Sequence, residues 1–565
     1  MSPSRILTLL LAAVLVLGGV AYGLTRGGGG GSPSTTTATP PGTPGDAIVV
    51  DFAYSPEKEQ LLTPLLDEFN RSGAEVDGAP VRVRGEVVSS GQAADKISAG
   101  TLKPALWSPA SSLWGRLVDQ RTDSSLAPDQ SPSLVRSPLV IAMPEPLARA
   151  LGWPKKALGW SDILAEANST GGWAAHGHPE WGRFKFGQTN PDFSTSGLSA
   201  TAAEYLVAAG KTEGLTLADV RRPAVRRFVA DIQRSVVHYG DTTLFFAEQM
   251  ARLGPTYVSA VAMEEVTVLD YNRRLRTGGP KLVAIYPREG TFYSDNPLIA
   301  VAGDWVSPQQ AAGAKLLSDF LVSKATPEAA ARSAFRPADP AAQVPDPITA
   351  ANGADPAQPT RLLSLPEPTV LNAILAAWRA DRKPAHIEVV LDVSGSMQDQ
   401  DKLESAKRGL VRFLNILQPQ DEVGLSVFSD KPILVQAPVP MRTGRPALVA
   451  RVKGLAADGG TAVYDATDQA VTRIAAGARD TRISAVVVLT DGADNQSAIS
   501  VDELTAHLAA ASGPEGPGVR VFTIAYGADA EQAILEQIAT AGGGKAYSGD
   551  AQTIERVYVQ ISSFF

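Results

Sequence analysis

The stretch Asp392-Val393-Ser394-Gly395-Ser396 decides the fold of the second half of this chain. It directly follows His386-Ile387-Glu388-Val389-Val390-Leu391, a run rich in β-branched and aliphatic residues that predicts a buried parallel β-strand. A carboxylate and two hydroxyls therefore lie at the carboxyl end of a strand, which is where ligands bind in open α/β sheets. Oxygen ligands of this kind suit a hard divalent cation such as Mg²⁺.

Two downstream segments complete the pattern. Gly459-Gly460-Thr461 adds a third hydroxyl in a loop with little steric bulk, and Thr490-Asp491-Gly492 adds a second carboxylate after another apolar run. In this order the pieces resemble the metal-ion-dependent adhesion site of von Willebrand factor A domains. The matching positions are Asp392, Ser394, Ser396, Thr461 and Asp491. The alternative is a Ser/Gly-rich turn that only caps a helix.

The resemblance implies what these residues do. They would hold Mg²⁺, or another divalent cation such as Ca²⁺ or Mn²⁺, and an Asp or Glu of a protein partner would complete the coordination. The region around the motif is also predicted to form a doubly wound, Rossmann-like sheet, because six β-like runs alternate with helical patterns. One of these runs, 432–436, is expected to be the antiparallel edge strand.

The first half of the chain alternates β-like runs, such as 47–52 and 81–88, with helical patterns such as 57–70, which predicts an α/β fold. Hydroxyl-rich loops stand at several probable helix starts, where free N–H groups suit polar or anionic ligands. This series resembles the two-lobed bacterial extracellular solute-binding proteins of the molybdate- and sulfate-binding kind. The candidate cleft residues are Ser89, Ser90, Ser111, Ser194 and Ser196.

Two alternatives stay open for this region. Each serine loop could be a simple helix cap rather than part of a cleft. The helix amino termini suit a small polar or anionic solute, but Glu264 and Glu265 would favour a cation or an amine if they faced the cleft. Otherwise the two glutamates form a solvated strand end.

The amino terminus places the chain outside the cytoplasm. An uncharged apolar run from 6 to 24, between Arg5 and Arg26, has close to the roughly 20 residues that a membrane span needs. It predicts a single-pass anchor with the amino terminus inside, or a cleaved signal peptide. The predicted organisation is an anchor or signal segment (1–26), a Gly/Ser/Thr/Pro linker (27–45), a solute-binding-like domain (46–336), a Pro-rich linker (337–366) and a von Willebrand A domain (367–565).

The composition and the missing motifs argue against several classes of function. The net charge of -8 on 565 residues, without a basic stripe, gives no support for nucleic-acid binding. The absence of cysteine excludes disulfides, thiolate metal sites and cysteine nucleophiles. The sequence has no hydrolase elbow, zinc-protease or phosphate-loop motif, so we do not expect an enzyme. It predicts a tethered binding protein; the alternative is a transporter's substrate receptor with the A domain as scaffold.

Overall fold

The computed structural model describes residues 47–128, 130–275, 279–513 and 516–565. Three β-sheets lie within these ranges, two in the first region and one in the second. Helices flank all three, so the prediction of an α/β chain with a two-lobed region followed by a doubly wound domain is confirmed.

The first region holds ten short strands and twelve helices among its described residues. The strands are β1 Ile48–Tyr54, β2 Glu75–Val76, β3 Ala79–Val87, β4 Leu106–Ser108, β5 Ser137–Pro144, β6 Phe186–Gln188, β7 Ala260–Glu264, β8 Leu282–Ile285, β9 Tyr293–Ser294 and β10 Ile299–Ala300. The helices are α1 Glu59–Arg71, α2 Ser90–Ser98, α3 Leu113–Thr122, α4 Glu145–Ala150, α5 Trp160–Ala167, α6 Thr195–Ala209, α7 Leu217–Arg221, α8 Pro223–Arg234, α9 Thr243–Leu253, α10 Glu265–Arg274, α11 Pro308–Lys324 and α12 Pro327–Arg332. Short 3₁₀ turns occupy Pro56–Lys58, Gly172–His176, Pro179–Trp181 and Ala350–Asn352.

These strands divide into two lobes. The first lobe has the order β10-β4-β1-β3-β2, with β1 parallel to both β3 and β4. The second has the order β6-β7-β5-β8, and β9 pairs with β5. The chain crosses into the second lobe before β5 and returns after β9, so the loops at the carboxyl ends of the strands can face one another between the lobes.

The second region is one six-stranded sheet with helices around it. Its elements are α13 Pro368–Asp381, β11 Ala385–Asp392, a 3₁₀ segment Gly395–Asp401, α14 Lys402–Ile416, β12 Glu422–Phe428, β13 Pro432–Pro440, α15 Met441–Lys453, α16 Val463–Gly477, β14 Ile483–Thr490, α17 Val501–Ser512, β15 Arg520–Tyr526, α18 Gln532–Ala541, β16 Ala546–Gly549 and α19 Ile554–Ser562. The strand order is β13-β12-β11-β14-β15-β16. Strand β13 runs antiparallel at the edge, as its position in the sequence predicts, and the other five strands are parallel.

The segment between the two regions, predicted as a Pro-rich linker, lies along the first region. The Leu363 N–H donates to Thr291 O at 2.8 Å, and Gly353 O accepts from the Ala284 N–H at 2.7 Å. The buried Arg336 guanidinium also donates to Asp355 O at 3.0 Å. Because backbone and side chain both bind the segment, it follows a defined path rather than hanging free.

The two regions dock at the side of the second sheet where its parallel strands begin, here called its amino edge. All described residues belong to one compact unit. Lys383, just before β11, donates to Val236 O at 2.9 Å, and the Arg520 guanidinium at the start of β15 lies 5.5 Å from the ring centre of Tyr257. Both are at the amino ends of parallel strands. Asp392, at the carboxyl end of β11, therefore lies at the opposite edge of the sheet.

Helix α13 contacts both lobes of the first region. Its Asn372 amide donates to Gln120 in the first lobe at 2.5 Å. Its Arg379 guanidinium holds Asp192 in the second lobe through two bonds of 2.9 and 2.5 Å. The buried Trp378 indole donates to Gln233 at 3.2 Å. The helix thus bridges the lobes from outside the cleft.

Within the described residues, no helix combines the length and apolarity needed to cross a bilayer. The predicted anchor or signal segment 1–26 and the linker 27–45 lie outside those residues.

Candidate functional site

Two carboxylates meet at the carboxyl edge of the second sheet. Asp392 ends β11 and Asp491 follows β14, and these neighbouring parallel strands are paired in register up to Leu391 and Leu489. Both aspartates have no solvent exposure. Buried charges need partners, so the groups around these carboxylates determine what the cluster can bind.

The two motif serines connect the carboxylates. The Ser394 N–H donates to Asp392 Oδ1 at 2.7 Å, and the Ser394 hydroxyl is 3.1 Å from that of Ser396. The Ser396 hydroxyl in turn donates to Asp491 Oδ1 at 2.7 Å. Because Ser394 and Asp491 are buried and Ser396 is exposed, this chain of hydrogen bonds reaches solvent at Ser396.

The loop around Thr461 adds the third hydroxyl. Gly459 has φ of +85° and its carbonyl accepts from the Gly395 N–H at 3.0 Å, which ties this loop to the first motif. The Thr461 hydroxyl lies 3.7 Å from the place that a Cβ on Gly492 would take, beside Asp491. The structure therefore brings together all five predicted residues, here called the oxygen cluster.

The electrostatics of the oxygen cluster include a cation that the sequence reasoning missed. Lys402 Nζ, at the start of α14, lies 2.7 Å from Asp491 Oδ2. Burial is the largest single effect and opposes the charge of Lys402, but the hydrogen bond to Asp491 and the charges of Asp491 and nearby carboxylates together outweigh it and raise the pKa of Lys402. Burial also raises the pKa of Asp392, against hydrogen bonds from Ser394 and from Thr490, whose hydroxyl is 2.6 Å away.

The donor set fits a hard divalent cation. It consists of two carboxylates and three hydroxyls, all oxygen, and it contains neither the thiolate nor the imidazole that zinc and copper prefer. Clusters of three or more Asp, Glu or His side chains able to hold a metal are absent from the described part of the chain. Asp392, Ser394, Ser396, Thr461 and Asp491 are thus the residues that would hold Mg²⁺.

A second candidate site lies between the lobes of the first region. This cavity, called the serine cavity below, is lined by Ser55, Pro56, Glu57, Ser89, Ser90, Ala110, Ser194, Thr195, Ser196, Asp241, Thr242, Thr243, Leu244 and Glu264. Four of the five predicted cleft serines line it. Ser111 does not: it stands just before Ser112, the N-cap residue of α3, and its hydroxyl accepts from the Leu113 N–H at 3.3 Å.

The lobes are closed over the serine cavity. The Gly91 N–H of the first lobe donates to Phe193 O of the second at 3.0 Å. A Cβ on Gly91 would come within 2.2 Å of Asp192 O, so this approach requires glycine. The Trp114 indole also donates to the Thr195 hydroxyl across the cleft at 2.8 Å.

Acidic residues of the serine cavity were only partly anticipated. Glu264 lines it, but Glu265 turns away and forms a buried ion pair of 2.6 Å with Arg336. Asp241 was missed, although the turn sequence Gly240-Asp241-Thr242-Thr243 before α9 is a signal for a helix start. Asp241 Oδ1 is buried without a hydrogen-bond partner among the described residues.

Comparison with known families agrees with this architecture. Residues 50–336 match the bacterial extracellular solute-binding protein family, and residues 386–557 match the von Willebrand factor type A domain. The chain belongs to the bacterial extracellular solute-binding proteins and carries a von Willebrand factor A domain behind the solute-binding region. Proteins of these two families are typically not enzymes, and the first family indicates an extracytoplasmic location.

Individual relatives are distant. A protein described as uncharacterized from Mycobacterium tuberculosis is 23% identical over 461 residues, covering 78% of this chain and 64% of the relative. Human inter-alpha-trypsin inhibitor heavy chain H4 is 29% identical over 174 residues, covering 29% of this chain and 18% of the relative. The chain thus spans less than two thirds of the length of either relative.

Solved structures resemble each region separately. The periplasmic binding protein P5PA covers 59% of this chain and 99% of its own, with a TM-score of 0.43 and 13% identity. A von Willebrand factor type A protein from Catenulispora acidiphila covers 32% of this chain and 42% of its own, with a TM-score of 0.29 and 22% identity.

Proposed function

We propose that this chain is a membrane-tethered, extracytoplasmic binding protein with two binding sites. The serine cavity would bind a small solute, and the oxygen cluster would bind a protein partner through a divalent cation. The uncharged run from 6 to 24 supports the tether. The metal-dependent contact is supported by one observation above all, which is the position of the oxygen cluster.

The oxygen cluster lies at the sheet edge opposite the docked lobes. Lys383 and Arg520 bind the first region at the amino edge, whereas Asp392 and Asp491 lie at the carboxyl edge. The exposed Ser396 opens the cluster to solvent. A cation bound by five protein oxygens keeps one octahedral position free, and a carboxylate of the partner fits that position in charge and hardness.

The domain arrangement supports coupling between the two binding sites. Helix α13 binds Gln120 of one lobe and Asp192 of the other. Opening of the lobes would therefore break one of these contacts or move the helix. A ligand that favours closed lobes would bias the position of α13, which leads directly into β11.

The alternative function, a transporter receptor with the A domain as scaffold, explains the serine cavity equally well. It gives no reason for five cation-binding oxygens at an open edge, because docking of the two regions uses the other edge. The oxygen cluster is therefore the observation that favours the first proposal.

Capture of protein partners tests the metal-dependent contact. The full chain is immobilised and exposed to extracellular proteins of the source culture, with Mg²⁺ or with EDTA, and the same is done for Asp392→Ala. We expect a partner that is retained only by the wild type with Mg²⁺. The matched control is Asp399→Ala, which removes an exposed acid near the motif. If a partner is retained equally with EDTA and by the Asp392→Ala variant, the proposed metal-dependent contact is disproved.

Melting of the full chain tests the cation itself. Mg²⁺ should raise the melting temperature of the wild type, because a ligand that binds only the folded state stabilises it. The rise should vanish in Asp491→Ala and persist in Asp399→Ala. An equal rise in all three proteins would mean that the cation binds elsewhere.

A further inference from the structure

The serine cavity contains acids and no bases among its lining side chains. The charged residues that line it are Glu57, Asp241 and Glu264, and the rest are hydroxyl-bearing or apolar. A cavity lined only by acids repels an anion and attracts a cation. This charge pattern is the opposite of what an anionic solute, one of the two kinds expected from the sequence, would need.

Two lysines are not part of the lining but contact its carboxylates. Lys58 is fully buried and uses its three N–H groups on Ser55, on Asn296 at 2.8 Å and on Glu57 at 3.3 Å. An ammonium has three donors. Lys545, from the second region, lies 3.0 Å from Asp241 Oδ2. Three carboxylates and two ammoniums leave one net negative charge when all are ionised.

The remaining acceptors point to where a ligand would bind. Asp241 Oδ1 and the Ser89 hydroxyl are buried without partners among the described residues. Asp241 is only 9% exposed. An unpaired buried acceptor is costly to the folded protein, and an N–H donor of a ligand would satisfy it.

Glu264 forms no ion pair with a cation of the described residues, although the charge of Lys58 acts on it from farther away. It is 5% exposed, and its carboxylate accepts hydrogen bonds from Ser196 and, at 3.4 Å, from the Ser294 hydroxyl. Burial, together with the charge of Glu57, raises the pKa of Glu264 to about 7. A positively charged ligand beside Glu264 would supply the missing compensation.

We infer that the serine cavity selects a small monocationic amine, with its ammonium between Asp241 and Glu264 and its polar groups on the serine hydroxyls. This deepens the proposed solute-binding function and depends on it. The second region then contributes to the solute site, because Lys545 holds Asp241 in place from behind.

Matched probes test the charge preference. The full chain is titrated at pH 8 and constant ionic strength with ethanolamine, with its neutral isostere ethylene glycol, and with molybdate. We expect ethanolamine to raise the melting temperature by at least about 2 °C, with no rise from the other two. Calorimetric titration should show that Glu264→Gln weakens ethanolamine binding by about tenfold to a hundredfold, the loss of one charge-assisted hydrogen bond.

Two further variants keep the test decisive. Asp241→Asn should weaken ethanolamine binding in the same way, and Glu75→Gln, which removes an exposed acid on β2, should not. Without ligand, Glu264→Gln should melt above the wild type, because it removes a buried charge that forms no ion pair. This last readout does not depend on the choice of probe.

Other outcomes overturn the inference. A rise with molybdate that survives Glu264→Gln, or equal rises with ethanolamine and ethylene glycol, would show an anion or a neutral solute in the cavity. The cation preference would then be wrong, while the proposed solute-binding function would stand. No response to any of the three probes, combined with a Glu264→Gln variant that melts below the wild type, would also reject the cation preference.

Discussion

Lys402 is the residue whose contact most affects the oxygen cluster. Its ammonium lies 2.7 Å from Asp491 Oδ2, and Asp491 has no solvent exposure. A divalent cation and an ammonium compete for the same carboxylate, because both are attracted by its charge. Lys402 thus compensates the charge of Asp491 in the metal-free protein. For the same reason it would lower the affinity of the oxygen cluster for a divalent cation.

Replacing Lys402 with methionine should separate these two effects. We expect Lys402→Met to destabilise the metal-free protein by about 3–5 kcal/mol, because Asp491 stays buried without its partner. The Mg²⁺ affinity should rise by about tenfold, and the Mg²⁺-dependent increase in melting temperature should become larger. Denaturant unfolding and calorimetric titration measure the two quantities.

The control for Lys402 lies on the same helix. Lys407 pairs at 2.7 Å with Glu404, a mostly exposed side chain, and is not bonded to the oxygen cluster. Lys407→Met should leave the Mg²⁺ affinity unchanged. If Lys402→Met leaves it unchanged as well, competition at Asp491 does not occur.

Residues of the oxygen cluster were predictable because most of them lie in short contiguous motifs. Asp392, Ser394 and Ser396 follow one strand directly, so local sequence alone sets their order. Lys402 was not predictable, because its contact with Asp491 joins residues 89 positions apart. Asp241 was missed for the same reason: its ion pair with Lys545 spans 304 positions and exists only after the two regions dock.

At the scale of elements, periodicity predicted the second sheet well. Strand β11 is mostly aliphatic because all of its residues are buried. Helix α15 was missed, since Gly444 and Pro446 interrupt its pattern. Residues 337–366 contain enough proline to predict a linker, but composition does not reveal that their backbone pairs with residues such as Thr291 and Ala284.

The end of the chain after α19 is an element that holds the regions together. Phe564 is fully buried, with ring centres 5.0 Å from Phe245 of the first region and 4.7 Å from Phe522 of the second. Its carbonyl accepts from the Tyr239 N–H at 3.3 Å. Tyr239 and Asp241 share one loop, so this anchor also supports the serine cavity.

Removing the Phe564 side chain should lower the stability of the whole chain. We expect Phe564→Ala to lower the free energy of unfolding by about 3–5 kcal/mol, the usual cost of removing a buried phenylalanine side chain. Leu434→Ala is the control, because Leu434 is 44% exposed on the edge strand β13 and should change stability by less than about 0.5 kcal/mol. Equal effects of the two variants in chemical denaturation would show that Phe564 is not an anchor.

At the scale of the whole molecule, the two regions share one interior. The buried core runs from strands of the second lobe through Trp378 and Phe564 into the second sheet. Family membership and the α/β architecture of each region could be predicted from sequence, because each depends on patterns within one region. The docking could not, since it depends on two surfaces whose complementarity no local pattern records.

This shared interior contains a buried acid that makes stability depend on pH. Glu204 is fully buried in α6, and its Oε2 accepts from Gln233 at 3.0 Å, next to the contact of Gln233 with Trp378. Burial raises the pKa of Glu204 to about 8, against a weaker opposing effect of the Gln233 hydrogen bond. In the unfolded chain the pKa of a glutamate is about 4.3.

The sign of the effect follows from proton binding. Between these two pKa values the folded protein keeps a proton that the unfolded chain releases, so stability falls as pH rises. The contribution of protonated Glu204 to the free energy of unfolding is fully present below about pH 4. It is lost as pH rises to about 8. Glu204→Gln should therefore match the wild type near pH 4 and exceed its free energy of unfolding by on the order of 5 kcal/mol at pH 9. Denaturant unfolding across this range measures the difference, and the exposed Glu213→Gln should show none. A constant difference between Glu204→Gln and the wild type at every pH would mean that Glu204 is ionised, and compensated, in the folded interior.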